Sequence, residues 1–337
     1  MHRHKIREIA QQSGLSEATV DRVLHERPGV RETTRMEVHQ AIADLDRQRT
    51  QLRLEGRKFF FDVVMHAPDR FVSEVRQALE SEIPALQPAV VRCRFHHRET
   101  GPPGALTPTL EKIAQRGSHG VLLKAPDVPE IVAAIDELHA SKIPVVTMFA
   151  DVPRSARTGY VGMDDRAAGS TAAYLLAQWL RRTPGNVLIS LTQDYFRNEE
   201  EREGGFRATM RALSPQRNLV DIPDTDGLDD TVRRRAVAAL RSDPSIVAAY
   251  SIGGGNHALL DAFDECGRHC DAFVAHDLDD DNVALLRAGR ISAVIHHDLH
   301  DDVRHACRLL LKARGALEGI PARTSPIQIA TPYNVPR

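Results

Sequence analysis

What this sequence lacks narrows it first. Neither charge is in surplus: 44 lysines and arginines stand against 46 acidic residues, for a formal net charge of −2. That overall balance gives no sign of a polyanionic partner. Lysine is scarce, with six residues (5, 58, 112, 124, 142 and 312), so 38 of the basic residues are arginine. Four cysteines (Cys93, Cys266, Cys270 and Cys307) in 337 residues are too few for a disulfide framework. No apolar run approaches the ~18 residues needed to span a bilayer. Apolar runs such as those around Val121–Leu123 and Val145–Ala150 have the length of buried strands. The opening Met1-His2-Arg3-His4-Lys5 leads into an amphipathic pattern without the apolar segment of a secretory signal. Secreted, disulfide-stapled and membrane-spanning classes are set aside, and a cytoplasmic protein with no membrane partner is expected.

At 42% hydrophobic and 27% charged, the chain has the composition of an ordinary globular protein with room for two or three domains. Its charge is uneven. Residues 1–58 hold 12 basic and 9 acidic side chains, net +3, and the remainder is net −5. A small basic head on a larger acidic body suggests a division of labour.

Residues 5–45 read as three short helices. Ile6, Ile9 and Ala10 share one face, and Ser13-Gly14-Leu15 breaks the pattern at a glycine able to turn left-handed. Ser16 can cap a second helix carrying Val20, Val23 and Leu24. Arg27-Pro28-Gly29 is a turn, and a third helix follows over about Thr33–Leu45. The stretch 47–58 is polar and basic, with Leu52 and Leu54 nearly alone, and reads as a linker or marginal helix. From Phe59 onward, strand-like runs alternate with helix-length amphipathic segments, the pattern of parallel sheets covered on both faces. Some 280 residues exceed one such sheet. The fold expected is an all-α head on an α/β body of two doubly wound lobes.

Two short helices joined by a glycine turn form the helix-turn-helix unit. The segment from Lys5 to Leu24, with Gly29-Val30-Arg31-Glu32-Thr33-Thr34-Arg35-Met36-Glu37-Val38 after it, resembles the LacI/GalR family of bacterial repressors over some forty gapless residues. The resemblance implies a second helix lying in the major groove, with Glu17, Ala18 and Arg22 toward base edges. An arginine there could pair bidentately with guanine, worth ~1–3 kcal/mol of discrimination. It places Thr19 and Thr34 on phosphates, with Ser16 capping. Aspartate at 21, histidine at 25 and arginine at 31 depart from the family pattern. Asp21 would repel DNA unless paired with an arginine, and phosphate contacts would then shift to Arg31 and Arg35. The family's tyrosine-x-proline-asparagine hinge is missing, and Leu54 (or Leu52) is the nearest residue able to wedge into a minor groove.

The body, over most of 60–330, resembles the two-lobed ligand core shared by LacI-type repressors and periplasmic sugar-binding proteins. The match rests on 145–153, 160–169, 200–206, Gly253-Gly254-Gly255-Asn256, Ala275-His276-Asp277 and Val294-Ile295-His296-His297-Asp298. It implies ligand roles for Asp151, Arg202, Asn256, Asp277 and His297, a donor and acceptor set suited to a polyol. Phe71 and Phe196 could stack on a sugar ring, and His66 and Asp69 follow the first strand, where crevice residues belong. The family more often has glutamine at the position of His297. Domain limits expected are 1–46 for the head, 47–58 for the hinge and 59–337 for the ligand-binding and dimerisation body. Within the body, one lobe takes about 59–161 and 293–325, the other about 162–292 and 326–337.

Other chemistries are weaker. Cys266-Gly267-Arg268-His269-Cys270 has zinc-like spacing but no second pair. Strand alternation splits His296, His297 and Asp298 between faces. The Gly253–Gly255 triplet lacks dinucleotide spacing, and no G-x-S-x-G elbow occurs. The expectation is a homodimeric, non-enzymatic, ligand-responsive repressor of a palindromic operator on double-stranded DNA, with a sugar, cyclitol or sugar-derivative effector and no cofactor or metal. The alternatives are a sugar-binding protein for uptake and a metal-dependent hydrolase on a similar body.

Overall fold

The computed structural model describes residues 4–54, 56–192, 196–225 and 229–335. The head has three helices, α1 (Ile6–Ser13), α2 (Glu17–Leu24) and α3 (Glu32–Leu54). Gly14 closes α1 at φ 72°, where a side chain would be strained, and so permits the tight turn into α2. Ile9, Ala10, Val20, Val23, Val38 and Ala41 form the head's own small core.

The third helix differs from expectation in its length. It does not stop at Leu45 but runs on to Leu54, through the stretch read as a linker or marginal helix. Residues 46–54 contain no glycine or proline and are rich in arginine, glutamine and leucine, all good helix formers. Arg47 pairs with Asp44 one turn back. At 1.5 Å per residue the helix is about 34 Å long, so the head leads toward the body on a rod.

The body opens with β1 (Lys58–His66), α4 (Asp69–Glu82), β2 (Val90–Arg98), α5 (Thr107–Arg116), β3 (Gly120–Lys124), α6 (Pro129–Ala140), β4 (Val145–Met148) and β5 (Gly159–Val161). These strands make a parallel sheet in the order β2-β1-β3-β4-β5. Strand β1 shows why both faces are covered: Phe59, Phe61, Val63 and Met65 point into one core and Val64 into the other.

The second lobe follows with α7 (Asp165–Trp179), β6 (Asn186–Thr192), α8 (Arg197–Leu213), β7 (Leu219–Thr225), α9 (Asp229–Ser242), β8 (Ile246–Ser251), α10 (Asn256–Glu265), β9 (Ala272–His276), α11 (Asp280–Arg287) and β10 (Ala293–His296). After β10 the chain forms α12 (Leu299–Ala313), which packs on the first lobe, and ends near β11 (Gln328–Ala330). The second sheet runs β11-β10-β9-β8-β6-β7, with only β11 antiparallel among the described pairings. The two doubly wound lobes expected from the alternation are thus present. The boundary near 293 moves, however, because β10 pairs with β9 in the second sheet. The crossing falls at His297-Asp298, since the apolar run 293–295 is needed as a buried strand of that sheet.

Helices α7 and α8 approach unusually closely. A Cβ on Gly169 would lie 1.8 Å from the Arg202 carbonyl oxygen, and one on Gly205 would lie 2.0 Å from that of Arg166. Only glycines allow this backbone contact, which sets Arg202 of α8 against Asp165 of α7.

Candidate functional site

On the head, Ser16 caps α2 by accepting from the Thr19 backbone N–H at 3.2 Å, and the two hydroxyls lie 2.8 Å apart. Glu17, Ala18 and Arg22 are exposed on one stretch of α2, and Arg31 is exposed just before α3. Thr19, Thr34 and Arg35 are half-buried at the helix starts. Leu54 is the last residue of α3, and its side chain lies outside the described residues. Asp21 meets the condition that its charge imposed: Arg27 Nη1 lies 3.2 Å from one carboxylate oxygen and His25 Nδ1 3.0 Å from the other. The aspartate's charge is thereby offset by a neighbour just beyond the helix.

Between the lobes lies a cleft of about 320 Å³. Of the nine residues expected to contact a ligand, seven line it: His66, Phe71, Phe196, Arg202, Asn256, Asp277 and His297. Two do not. Asp69 begins α4 with a side chain 68% exposed and pairs with His97 at 2.9 Å. Asp151 accepts from Arg157 on both oxygens, from the Thr147 hydroxyl at 2.8 Å and from the Val152 N–H at 2.8 Å. It fastens its own turn, because an aspartate before Val-Pro finds local donors before it can reach a ligand.

Arg202 is 4% exposed and donates from Nε to Asp165 at 2.8 Å. Burial alone would pull the guanidinium down. Asp165 and Asp277 outweigh it, so Arg202 is held as a cation. Asp165 is itself pushed up by burial, against the pull of Arg202. His297 turns Nδ1 to Asp302 at 2.5 Å, which leaves its other nitrogen for the cleft.

Sequence reasoning passes over several lining residues, among them Lys124, Phe149, Asn198, His276 and Asn282. A signal exists for most. Lys124 ends β3, Phe149 follows β4 and His276 ends β9, as His66 ends β1. Ligands of open α/β sheets bind beyond the carboxyl ends of the strands, so a polar or aromatic residue closing an apolar run is the clue. Lys124 sits 4.1 Å from the centre of the Phe196 ring and donates to the His66 carbonyl at 3.3 Å. Burial pulls it down to about 8, against the carboxylates of Glu199 and Asp277. His276 shares a hydrogen bond with the Tyr250 hydroxyl at 2.7 Å and is held well below the usual histidine range by burial and by Arg202.

Phe149 and Asp277 both adopt φ 64°, a left-handed conformation that costs an ordinary side chain about 1–3 kcal/mol. Asn282 explains how Asp277 is kept there. Its amide donates to the His276 and Asp277 carbonyls at 3.0 and 2.7 Å and accepts from Asn256 at 2.6 Å. Asn282→Ala therefore removes two bonds to a strained turn and strands the Asn256 amide. A loss of about 2–3 kcal/mol is expected in urea unfolding, together with a weakened ligand response.

Four buried polar atoms on the cleft wall have no hydrogen-bond partner among the described residues: His66 Nδ1, Asn198 Oδ1, Asn256 Oδ1 and His276 Nδ1. Each such atom costs about 1–3 kcal/mol while unmet. Phe71, Phe149 and Phe196 add apolar wall. Such a cleft can take a small molecule with several hydroxyl groups and an apolar face.

Among the described residues no group of three or more His, Cys, Asp or Glu side chains could hold an ion. Cys266 and Cys270 pack against the second lobe's core, and burial pushes Cys270 up to about 12. Asp298 caps α12 by accepting from the Asp301 N–H. Among the described residues no helix is long and apolar enough to cross a membrane.

Residues 63–316 match the family described as the periplasmic binding protein domain, and residues 5–48 match that of bacterial regulatory proteins, lacI family. Among solved structures the chain is similar to GanP, a glucose-galactose binding protein from Geobacillus stearothermophilus, at 18% identity and TM-score 0.74, over 83% of this chain and 100% of that one. A protein assigned as a LacI transcriptional regulator from Bacteroides fragilis is 17% identical, TM-score 0.74, over 83% and 99%. A solute-binding protein of an ABC transporter from Burkholderia graminis, in complex with D-arabinose, is 18% identical, TM-score 0.74, over 83% and 97%. Among curated proteins none matches the chain.

Proposed function

The chain belongs to the periplasmic binding protein domain family and carries a lacI-family regulatory head, and from that premise we propose that it is a sugar-responsive transcriptional repressor. The observation that carries the reading is the cleft wall with its four unmet buried polar atoms, on the same chain as a head that exposes Glu17, Ala18 and Arg22. The effector is a monosaccharide, cyclitol or sugar derivative held by Arg202, Asn256, Asp277, His297 and Lys124. The protein acts in the cytoplasm as a homodimer, so that two heads on one two-fold axis read the half-sites of a palindromic operator. Effector binding shifts DNA affinity through its different affinity for the open and closed cleft. The head's presence weighs against a role in uptake and against an enzyme.

The test is a thermal-shift screen against sugars, sugar acids, cyclitols and sugar phosphates, followed by gel shifts with and without the stabilising compound. A compound that raises the melting temperature but leaves DNA affinity unchanged would break the link between the two halves. Arg22→Ala is expected to cost about 1–3 kcal/mol on the preferred site and to relax base preference there. Its ligand-induced thermal shift should match that of the wild type. Unchanged preference in a competition gel shift would remove Arg22 from the reading helix.

A further inference from the structure

The cleft occupies the carboxyl edge of the first lobe's sheet; the opposite edge carries a different chemistry. Strand β1 starts there at Lys58, immediately after Arg57, and at about 3.3 Å per residue it puts some 30 Å between this edge and the cleft. The Arg57 guanidinium lies 5.2 Å from the Phe59 ring centre and that of Arg94 5.1 Å from the Phe60 ring centre. His119 packs against both rings, at 5.8 and 6.1 Å. Arg314 closes the group by donating to the carbonyls of His119 and Ser118 at 2.7 and 2.6 Å. Partial burial, then Arg314, Arg94 and Arg57, hold His119 below the usual histidine range, as close packing of those cations requires.

The carboxylate in their midst is Asp62, wholly buried in β1. It accepts from Arg116 at 2.7 Å and from His96 at 2.9 Å, and Arg94 lies 3.9 Å from its other oxygen. A buried aspartate thus holds the Arg116 guanidinium by a hydrogen bond and attracts that of Arg94, and the two side chains remain 46% and 37% exposed. An arginine has five N–H donors, so both keep donors for a partner outside. The arrangement stands out because residues 59–337 are net −5, yet this edge presents cations.

What meets the edge follows from the path of the chain. Helix α3 ends at Leu54 and β1 begins at Lys58. Four residue steps span at most about 14 Å. The edge is therefore tethered close to the end of the rod whose other end belongs to the head. We propose that it is a second DNA-contacting surface, at which Arg57, Lys58, Arg94 and Arg116 take backbone phosphates flanking the base pairs read by the head. Such contacts carry no sequence information; they add affinity, fix the body's orientation on the duplex and make binding more sensitive to salt. The inference rests on the reading of the head as a DNA-binding unit.

The experiment measures binding of the full-length protein to a fluorescent random-sequence duplex, about four helical turns long, over the salt range in which phosphate contacts are felt, roughly 50 to 200 mM. Arg57→Gln with Lys58→Gln removes two exposed cations and spares the Asp62 cluster. Each lost phosphate contact lowers the slope of log K against log salt by about 0.9, so a fall of about one to two per protomer, about two to four for the homodimer, is expected. Arg181→Gln with Arg182→Gln, after α7 in the other lobe, makes the same charge change and should leave the slope alone. A wild-type slope in the edge variant, or an equal fall in the control, would overturn the proposal. Wild-type protein with no affinity for the duplex would overturn the reading of the head as well, and so separates the two failures.

Discussion

Replacing Arg202 with leucine is expected to abolish the ligand-induced thermal shift and to destabilise the second lobe by about 3–5 kcal/mol. The size follows from what is left behind. Asp165, 9% exposed in its side chain, loses the partner 2.8 Å away that makes its charge tolerable. A buried charge left alone costs far more than the pair contributed while intact. Tyr160, whose hydroxyl lies 3.4 Å from Asp165, offers a weak substitute. Adding Asp165→Asn removes the stranded charge, so the double variant should recover most of the urea midpoint. It should not recover the response to the compound that stabilises the wild type. At a ligand concentration about 100 times Kd, that response is worth about 2.7 kcal/mol in the wild type. Recovery of the thermal shift along with stability would mean that Arg202 supports the lobe without holding ligand.

The same arginine shows how far local sequence carries and where it stops. Its candidacy rests on a resemblance over 200–206, which also supplies the glycines that let α8 lie against α7. The pairing with Asp165, 37 residues away, leaves no local trace because it depends on how two helices cross. The alternation of strands and helices is legible throughout, since periodicity is local. Asp151 misleads for the opposite reason: its carboxylate belongs in the right neighbourhood, yet Arg157 and the Val152 amide compete for it at short sequence range. Lys124 escapes notice although its strand is marked, because a charge closing Gly-Val-Leu-Leu-Lys reads as the strand's limit and hides its contribution to the cleft. The length of α3 is legible only as one of two readings, since a polar stretch without hydrophobic periodicity fits a linker and a marginal helix alike. Propensity without a breaker is the better guide there.

The two lobes are joined by three passages of chain, and one buried relay touches all three. His297 lies on the second passage and directs Nδ1 to Asp302, in the first turn of α12. The other oxygen of Asp302 accepts from the Ser325 hydroxyl on the third passage. The Ser325 backbone N–H in turn donates to the Gly162 carbonyl on the first, at 2.8 Å. A ligand that orients His297 therefore acts on a relay whose side chains are all buried. Asp302→Ala leaves His297 and Ser325 without their acceptor in a dry site, for an expected loss of about 2–4 kcal/mol in stability. Ligand affinity should fall by roughly tenfold or more as the imidazole loses its fixed orientation. Ser325→Ala separates position from transmission. It spares the bond between His297 and Asp302, so ligand affinity should change little. The third passage, however, is released from the cleft-lining histidine. If the relay carries the signal, the ligand-dependent change in DNA affinity, of the order of 1–3 kcal/mol in such couplings, should shrink in Ser325→Ala with ligand Kd nearly intact. Isothermal titration and gel shifts on the same preparation read the two quantities separately, and an undiminished change in DNA affinity would place the coupling in other contacts between the lobes.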